Sequence, residues 1–208
     1  MNFLAYSDFH GLFGFKNHFR KIKKDIKRFN PDFVVFCGDF RNKVSKSLLN
    51  VRVKHLGRPV YYVWGNDDEF DPEYKLKSGI NLHLKVIEVN EAFKIVGLGG
   101  DELDVKWNIE KFDEILDNEK DSDNLVIVSH VPPYSACDLA NDGRNVGVKE
   151  YLALILKFSP RLVLFGHIHE NFRCHTCIEG IDFINIGPNG VLFEYSEGSF
   201  LIDLNIDE

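Results

Sequence analysis

The chain has 208 residues, of which 44% are apolar, and a formal net charge of −7 at pH 7. This size and apolar content suit a single domain, residues 1–208, with a well-buried core, and the acidic balance argues against a general nucleic-acid coat protein. The sequence has no apolar run near the ~20 residues that cross a bilayer and no secretory-type leader before its first strand. We therefore expect a cytoplasmic protein with no membrane partner.

Residues 2–165 contain predicted strands and helices in alternation, with one pair of consecutive strands. In chain order the apolar patterns predict strand 2–7, helix 16–29, strand 32–37, helix 45–56, strand 59–63, two strands within 82–98, helix 108–119, strand 124–129, helix 146–158 and strand 161–165. Residues 171–205 have the pattern of short strands separated by glycine-containing turns. This mixture predicts an α/β fold, a four-layer α-β-β-α sandwich of two mixed sheets flanked by helices.

The first predicted helix has a strongly basic outer face. Residues 16–29 contain seven Lys or Arg residues and one acid, Asp25. The apolar residues of this segment recur at helical spacing, so the basic residues share the opposite face. The face could draw an anionic substrate towards the preceding loop, or it could simply be solvated.

The four cysteines do not indicate a disulfide framework. Cys37 lies within a predicted strand and Cys137 within a predicted loop. Cys174 and Cys177 form a C-x-x-C, but residues three apart on an extended segment point to opposite faces and would not chelate one ion. We interpret this pair as structural or incidental.

Side chains of the types that commonly bind metals follow several of the predicted strands. The candidate metal ligands are Asp8, His10, Asp39, Asn66, His130, His167 and His169. Because ligand sites of parallel sheets lie beyond the carboxyl ends of the strands, we expect these residues to converge. Carboxylate, imidazole and amide ligands without a thiolate suit two divalent ions such as Mn, Fe, Co, Ni or Zn. Each motif alone could be only a turn or a helix cap.

As an ordered set, these motifs resemble those of the calcineurin-like metallophosphoesterase superfamily, in particular its compact prokaryotic members. The family pattern is D-x-H, G-D-x-x-(D/N), G-N-H-(D/E), a lone His and G-H-x-H. The corresponding residues here are Asp8-Phe9-His10, Gly38-Asp39-Phe40-Arg41-Asn42, Gly65-Asn66-Asp67-Asp68, His130 and Gly166-His167-Ile168-His169. The motifs extend over most of the chain.

The resemblance implies two metal sites that share one ligand. One ion would be held by Asp8, His10, Asp39 and His169, and the other by Asp39, Asn66, His130 and His167. The implied activity is hydrolysis of a phosphodiester or a small phosphomonoester, nucleotides included, by direct attack of a metal-bridging hydroxide. The implied catalytic residues are Asp39, Asn66, Asp67 and His130.

Asp67 departs from the family pattern, because relatives usually have His at this position, where it is thought to protonate the leaving oxygen. A carboxylate is mostly ionised at neutral pH and is a poor proton donor. Either Asp67 is not the acid or the leaving group needs little help, which slightly favours a diester substrate. Asn42 could pair with Asp67 or could cap the following helix.

Four further positions carry weaker signals. Arg41 and Arg144 lie in loops on the expected catalytic side and could bind phosphate oxygens, or they could be surface residues. Trp64 and Tyr134 flank ligand positions and could wall a substrate pocket or serve in packing.

The Gly97-Leu98-Gly99-Gly100 segment resembles a dinucleotide loop but fails the G-x-G-x-x-G template. Glu102 stands at the position of the third glycine, and we predict no helix opening there. We interpret the segment as a tight loop near the metal site.

Two alternative functions remain open at this stage. The first is a non-catalytic metal-binding scaffold on the same fold, which the change at Asp67 keeps open. The second, less favoured, is a nuclease that uses the basic helix, although the acidic remainder of the chain makes a nucleic-acid partner unlikely. The favoured partner is a small phosphoester or nucleotide substrate.

Overall fold

A computed structural model describes residues 1–9, 14–40, 44–68, 76–90, 93–119 and 124–207. The helices are α1 (Gly14–Phe29), α2 (Lys46–Lys54), α3 (Glu102–Asp117) and α4 (Lys149–Phe158). The strands are β1 (Asn2–Tyr6), β2 (Phe33–Cys37), β3 (Val60–Val63), β4 (Ile80–Asn81), β5 (Val86–Asn90), β6 (Phe93–Leu98), β7 (Leu125–Ser129), β8 (Leu162–Phe165), β9 (His175–Ile178), β10 (Ile181–Asn185), β11 (Val191–Ser196) and β12 (Ser199–Asp203). No helix in this part of the chain has the length and apolar character needed to span a membrane.

The strands form two mixed six-stranded sheets. The first has the order β12-β11-β1-β2-β3-β4, and the second has the order β5-β6-β7-β8-β10-β9. The central strands β1 to β4 pair in parallel, as do β6, β7, β8 and β10, while the remaining pairings are antiparallel. With helices on the outer faces, this arrangement confirms the predicted α-β-β-α sandwich.

Alternation along the strands divides the apolar residues among three buried clusters. In β1, Phe3 and Ala5 point into the cluster between the two sheets, whereas Leu4 and Tyr6 point into the cluster beneath α1 and α2. A third cluster lies beneath α3 and α4. Both faces of the central strands are therefore buried, which explains their continuous apolar runs.

Helix α3 corrects the prediction for residues 97–108. It begins at Glu102 rather than at residue 108, so a helix does open directly after the glycine-rich segment. The Asp101 carboxylate accepts hydrogen bonds from the amides of Leu103 and Asp104, and the Asp104 side chain accepts one from the Asp101 amide. This reciprocal capping, formed by two aspartates, starts the helix six residues earlier than the apolar pattern indicates.

Helix α4 begins three residues later than predicted, at Lys149. The Val148 amide donates to the carbonyl of Pro132, and the Val148 carbonyl accepts from the amide of Tyr134. These bonds hold residue 148 extended and delay the helix.

A disulfide between Cys137 and Cys174 contradicts the expectation that these cysteines do not pair. The two residues are separated by 37 positions, and only the tertiary fold places their Cα atoms 5.7 Å apart. Cys37 is a buried free thiol and Cys177 an exposed one. The bond joins the β7–α4 loop to the segment that precedes β9.

Candidate metal centre

The predicted metal ligands are delivered by strand ends from both sheets. Asp8, Asp39 and Asn66 follow β1, β2 and β3 of the first sheet, and His130 and His167 follow β7 and β8 of the second. The parallel central strands of each sheet end at a common edge, so their ligands meet where the two sheets face each other. His10 lies outside the described residues.

Four of the predicted ligands, His130 and three residues around its imidazole, bring their ligand atoms together. Its Nε2 atom lies 2.9 Å from Asn66 Oδ1, 3.3 Å from Asp39 Oδ2 and 3.2 Å from His167 Nδ1. His130 and Asp39 are almost fully buried, whereas Asn66 is exposed. These four residues are the set expected for the second metal ion.

The remaining ligands lie next to this cluster. Ligand atoms of Asp8, Asp39 and His130 all lie within 4.8 Å of one another. His169 Nε2 lies 3.4 Å from Asp8 Oδ1, and the His167 amide donates to both oxygens of Asp8. Asp39 therefore stands between the two halves of the expected site.

Hydrogen bonds on the outer side of each imidazole fix which nitrogen faces the cluster. His130 Nδ1 lies 2.9 Å from the carbonyl oxygen of Cys37, and His167 Nε2 lies 2.9 Å from Glu102 Oε1. Both oxygens can only accept, so the ring nitrogens must donate to them. The neutral rings then direct lone pairs at each other and at the oxygens of Asn66 and Asp39. Four converging groups that can each offer a lone pair fit a bound cation.

The carboxylates of the cluster favour positive charge at its centre. Burial opposes a charge on His130, but the hydrogen bond and negative charge of Asp39 outweigh it and raise the pKa of His130 to about 9. The hydrogen bond to His167 lowers the pKa of Glu102 to about 2. Glu102 is therefore ionised at neutral pH and acts as an acceptor.

Glycines allow neighbouring motifs to approach the ligands. A Cβ atom at Gly38 would lie 2.4 Å from His130 Nδ1, and one at Gly65 would lie 2.2 Å from Asp39 Oδ1. At Gly166 it would lie 2.2 Å from Asp8 Oδ2. The glycine of each motif is thus required because its backbone packs directly against a candidate ligand.

Three candidate ligands have left-handed backbone conformations. The φ angles of Asp8, Asp39 and His167 are 57°, 51° and 72°. Such conformations cost a non-glycine residue about 1 kcal/mol or more and concentrate at functional sites. Here they turn each side chain back from its strand end into the shared site.

Asp67 is exposed and contacts the cluster in two ways. Its amide donates to Asp39 Oδ1 at 2.8 Å, and its Oδ1 atom accepts from Asn66 Nδ2 at 3.2 Å. The second bond turns Asn66 so that its Oδ1 atom faces His130. Asp67 therefore orients a candidate ligand. Asn42, its hypothetical partner, lies outside the described residues.

The structure describes only one of the two arginines that are predicted to bind phosphate. Arg41 lies outside the described residues. Arg144 is exposed and its guanidinium binds Asp142, but it also lines a cavity beside the centre. Tyr134 lines the same cavity, while Trp64 is buried and stacks on Phe40, so it serves in packing.

Glu102 is the site residue that the sequence reasoning missed. It belongs to the first turn of α3, where its carboxylate holds His167. The sequence analysis places the preceding glycine-rich segment near the predicted metal site, and an acid at the start of the next helix is the available signal. The failure to predict that helix start concealed it.

The fold and these converging ligands define a metallophosphoesterase-type α/β protein. A family model described as calcineurin-like phosphoesterase matches residues 1–171. The chain therefore belongs to the calcineurin-like phosphoesterase family, and the resemblance noted in the sequence is confirmed.

Two curated relatives differ greatly in coverage. An uncharacterized protein of Methanocaldococcus jannaschii, MJ1162, is 27% identical over 206 residues, covering 90% of this chain and 88% of its own. The UPF0046 protein T07D4.2 of Caenorhabditis elegans is 38% identical over 52 residues, covering 24% of this chain and only 13% of its own.

Solved structures share the fold at low sequence identity. TT1561 of Thermus thermophilus superposes with a TM-score of 0.69 at 14% identity and covers 98% of both chains. GAP50, the anchor in the inner membrane complex of Plasmodium, superposes with a TM-score of 0.66 at 14% identity, covering 100% of this chain and 86% of its own.

Proposed function

We propose that this single-domain protein is a dimetal-dependent phosphoesterase that cleaves phosphodiesters or small phosphomonoesters by direct attack of water. The observation that carries the proposal is the convergence of four groups that can each offer a lone pair to a metal ion, on Asp39, Asn66, His130 and His167. A second group, on Asp8, Asp39 and His169, adjoins it. Membership in a phosphoesterase family supports the reaction class.

In this proposal some side chains would bind the cations, and other groups would orient those side chains. Two bound cations would supply an activated water at neutral pH and positive charge for the oxygens of an in-line displacement. The carbonyl of Cys37 holds His130, Glu102 holds His167, and the His167 amide holds Asp8. Such outer hydrogen bonds fix ligand direction before any metal or substrate binds.

Asp67 acts, in this proposal, by orienting Asn66 rather than by giving up a proton. Its contacts with Asn66 and Asp39 leave it an acceptor on one side and a backbone donor on the other. A substrate with a good leaving group would need no acid, which favours diesters over monoesters with poor leaving groups. The variant Asp67→His tests this interpretation. If the introduced histidine restores acid catalysis, turnover of phenyl phosphate, which has the poorer leaving group, should rise more than turnover of p-nitrophenyl phosphate.

The primary test is hydrolysis of bis-p-nitrophenyl phosphate and p-nitrophenyl phosphate by metal-stripped protein reloaded with Mn²⁺, Ni²⁺, Co²⁺ or Zn²⁺. We expect metal-dependent turnover in the wild type and a loss of at least about 100-fold in His130→Ala. The matched control is His55→Ala, which removes an exposed histidine at the end of α2. Equal rates in His130→Ala and His55→Ala would refute the proposal.

A non-catalytic scaffold is the second candidate, because GAP50, which shares this fold, is an anchor in the inner membrane complex of Plasmodium. The two functions predict different behaviour of the metal-loaded protein. A scaffold would bind two metal ions and cleave neither ester, whereas the enzyme would cleave at least one.

A further inference from the structure

A cavity of about 630 Å³ lies beside the candidate metal centre. It is bounded by the first turns of α3 and by the loop that leads into α4, and Glu102, Lys106, Tyr134, Arg144, Lys149 and Glu150 contribute to its lining. Its volume falls within the range of small-molecule sites in proteins.

Glu102 connects the cavity to the centre. Its side chain lines the cavity, and its Oε1 atom lies 2.9 Å from His167 Nε2. One side chain thus separates the cavity from a candidate metal ligand. A substrate whose phosphate is at the centre can extend another part of itself into the cavity.

Two ammonium groups of the cavity lack a carboxylate partner among the described residues. Glu102 and Lys106 are one helical turn apart, the usual spacing of an ion pair, but Glu102 binds His167 instead. Lys149 lies over the Tyr134 ring, 4.8 Å from its centroid. The third cation, on Arg144, is paired with Asp142.

The charges that line the cavity favour an anion. Three cations, on Lys106, Arg144 and Lys149, outnumber the two lining carboxylates, on Glu102 and Glu150. This local excess stands out because the chain as a whole has a net charge of −7. A negatively charged group in the cavity could accept charge-assisted hydrogen bonds from these cations.

The wall of the cavity is fixed before any ligand binds. The buried Asp138 carboxylate accepts from the amides of Ser135 and Gly147, at 3.0 and 2.8 Å. The adjacent Cys137 is bonded to Cys174, and Asn171 Nδ2 donates to the carbonyl of Leu139. A preformed wall lowers the entropy cost of binding and supports selectivity.

We propose that this cavity is a subsite for a second anionic group of the substrate, and that Lys106 and Lys149 select phosphodiesters that carry an additional phosphate, as a phosphorylated nucleotide does. This inference rests on the proposed phosphoesterase function. In this inference the preference for a substrate with an additional phosphate arises in the cavity and not at the metal centre.

The test uses two chromogenic diesters that differ only in one phosphate. Thymidine 5′-(p-nitrophenyl phosphate) and its 3′-phosphorylated form release the same p-nitrophenolate from the same bond. We expect kcat/KM of the Mn²⁺-loaded wild type to favour the phosphorylated form by about tenfold. The ratio should fall towards one in the double variant Lys106→Gln, Lys149→Gln.

The matched control is Lys111→Gln, which removes an exposed lysine of the same helix that does not line the cavity. It should keep the wild-type ratio. A wild-type ratio of one, or a ratio that the double variant leaves unchanged, would overturn the subsite.

A binding experiment distinguishes failure of this inference from failure of the proposed function. If neither diester is cleaved, the proposed diester activity fails, and calorimetric titration with thymidine 3′,5′-bisphosphate and thymidine 5′-monophosphate decides the subsite. Tighter binding of the bisphosphate that is lost in the double variant supports it. Equal affinities in the wild type refute it.

Discussion

Replacing Glu102 tests whether a carboxylate outside the metal centre sets its affinity. The carboxylate accepts from His167 Nε2 at 2.9 Å, which keeps the Nδ1 lone pair directed at the cluster around His130. Glu102→Ala removes both the charge and the acceptor. Glu102→Gln keeps an acceptor oxygen but removes the charge, so its effect should be smaller.

The size of the effect follows from the coupling between the two side chains. The hydrogen bond to His167 lowers the pKa of Glu102 from an ordinary 4.5 to about 2. This difference corresponds to roughly 3 kcal/mol, but the Glu102 side chain is 43% exposed and solvent screening reduces it. About 1–2 kcal/mol remains, which predicts metal binding weakened by roughly 5- to 30-fold in Glu102→Ala.

The assay is equilibrium binding of Mn²⁺ to metal-stripped protein, measured by calorimetric titration. We expect one of two binding steps to weaken in Glu102→Ala and the other to stay near its wild-type value. Glu110→Gln is the matched control, because Glu110 is an exposed acid of the same helix that does not line the cavity. Identical Mn²⁺ isotherms for Glu102→Ala and the wild type would refute the reasoning.

Three other predictions concern packing, the disulfide and pH. Gly38→Ala should abolish tight Mn²⁺ binding in calorimetry, because the new Cβ atom would lie 2.4 Å from His130 Nδ1 at a φ of +88°. Cys137→Ser should lower the free energy of unfolding by at most about 4 kcal/mol, measured with urea, because the bond closes a long loop. Burial, with help from nearby lysines, lowers the pKa of His83 to about 4. The unfolded chain therefore takes up a proton that the folded chain does not, and up to about 3 kcal/mol of stability should be lost as pH falls from about 6.5 to 4.

Each of these predictions has a matched comparison. Gly57→Ala has a similarly positive φ with no atom within 4 Å of the new Cβ, so it should cost stability but not Mn²⁺ affinity. Cys177→Ser replaces an exposed free thiol and should leave stability nearly unchanged. In His83→Gln the loss of stability between pH 6.5 and 4 should shrink by the contribution of the imidazole. Equal effects within any of these pairs would contradict the corresponding prediction.

The layers of the fold and the convergence of Asp8, Asp39, Asn66 and His130 could be predicted from local signals. Buried parallel strands have continuous apolar runs, and the position after each run places a side chain at a known edge of the sheet. Pairing partners need not be identified for this inference. The metal-binding role of these side chains stays a prediction.

The missed features depend on contacts between distant segments or on unusual caps. The Cys137–Cys174 bond joins residues that only the docking of a loop against the β9 region brings together. The start of α3 depends on an Asp101–Asp104 pair, where the usual sequence signal is Ser or Thr followed by Glu or Gln. Because that helix start positions Glu102 and Lys106, the cavity could not be predicted either.

The most direct test of the account is a crystal structure of the protein soaked in Mn²⁺, with anomalous scattering used to locate the ions. The account predicts two peaks about 3.5–4 Å apart. Asp39 should contact both, with Asn66, His130 and His167 around one and Asp8 and His169 around the other. No peak at saturating Mn²⁺, or a single peak away from these side chains, would contradict the dinuclear centre.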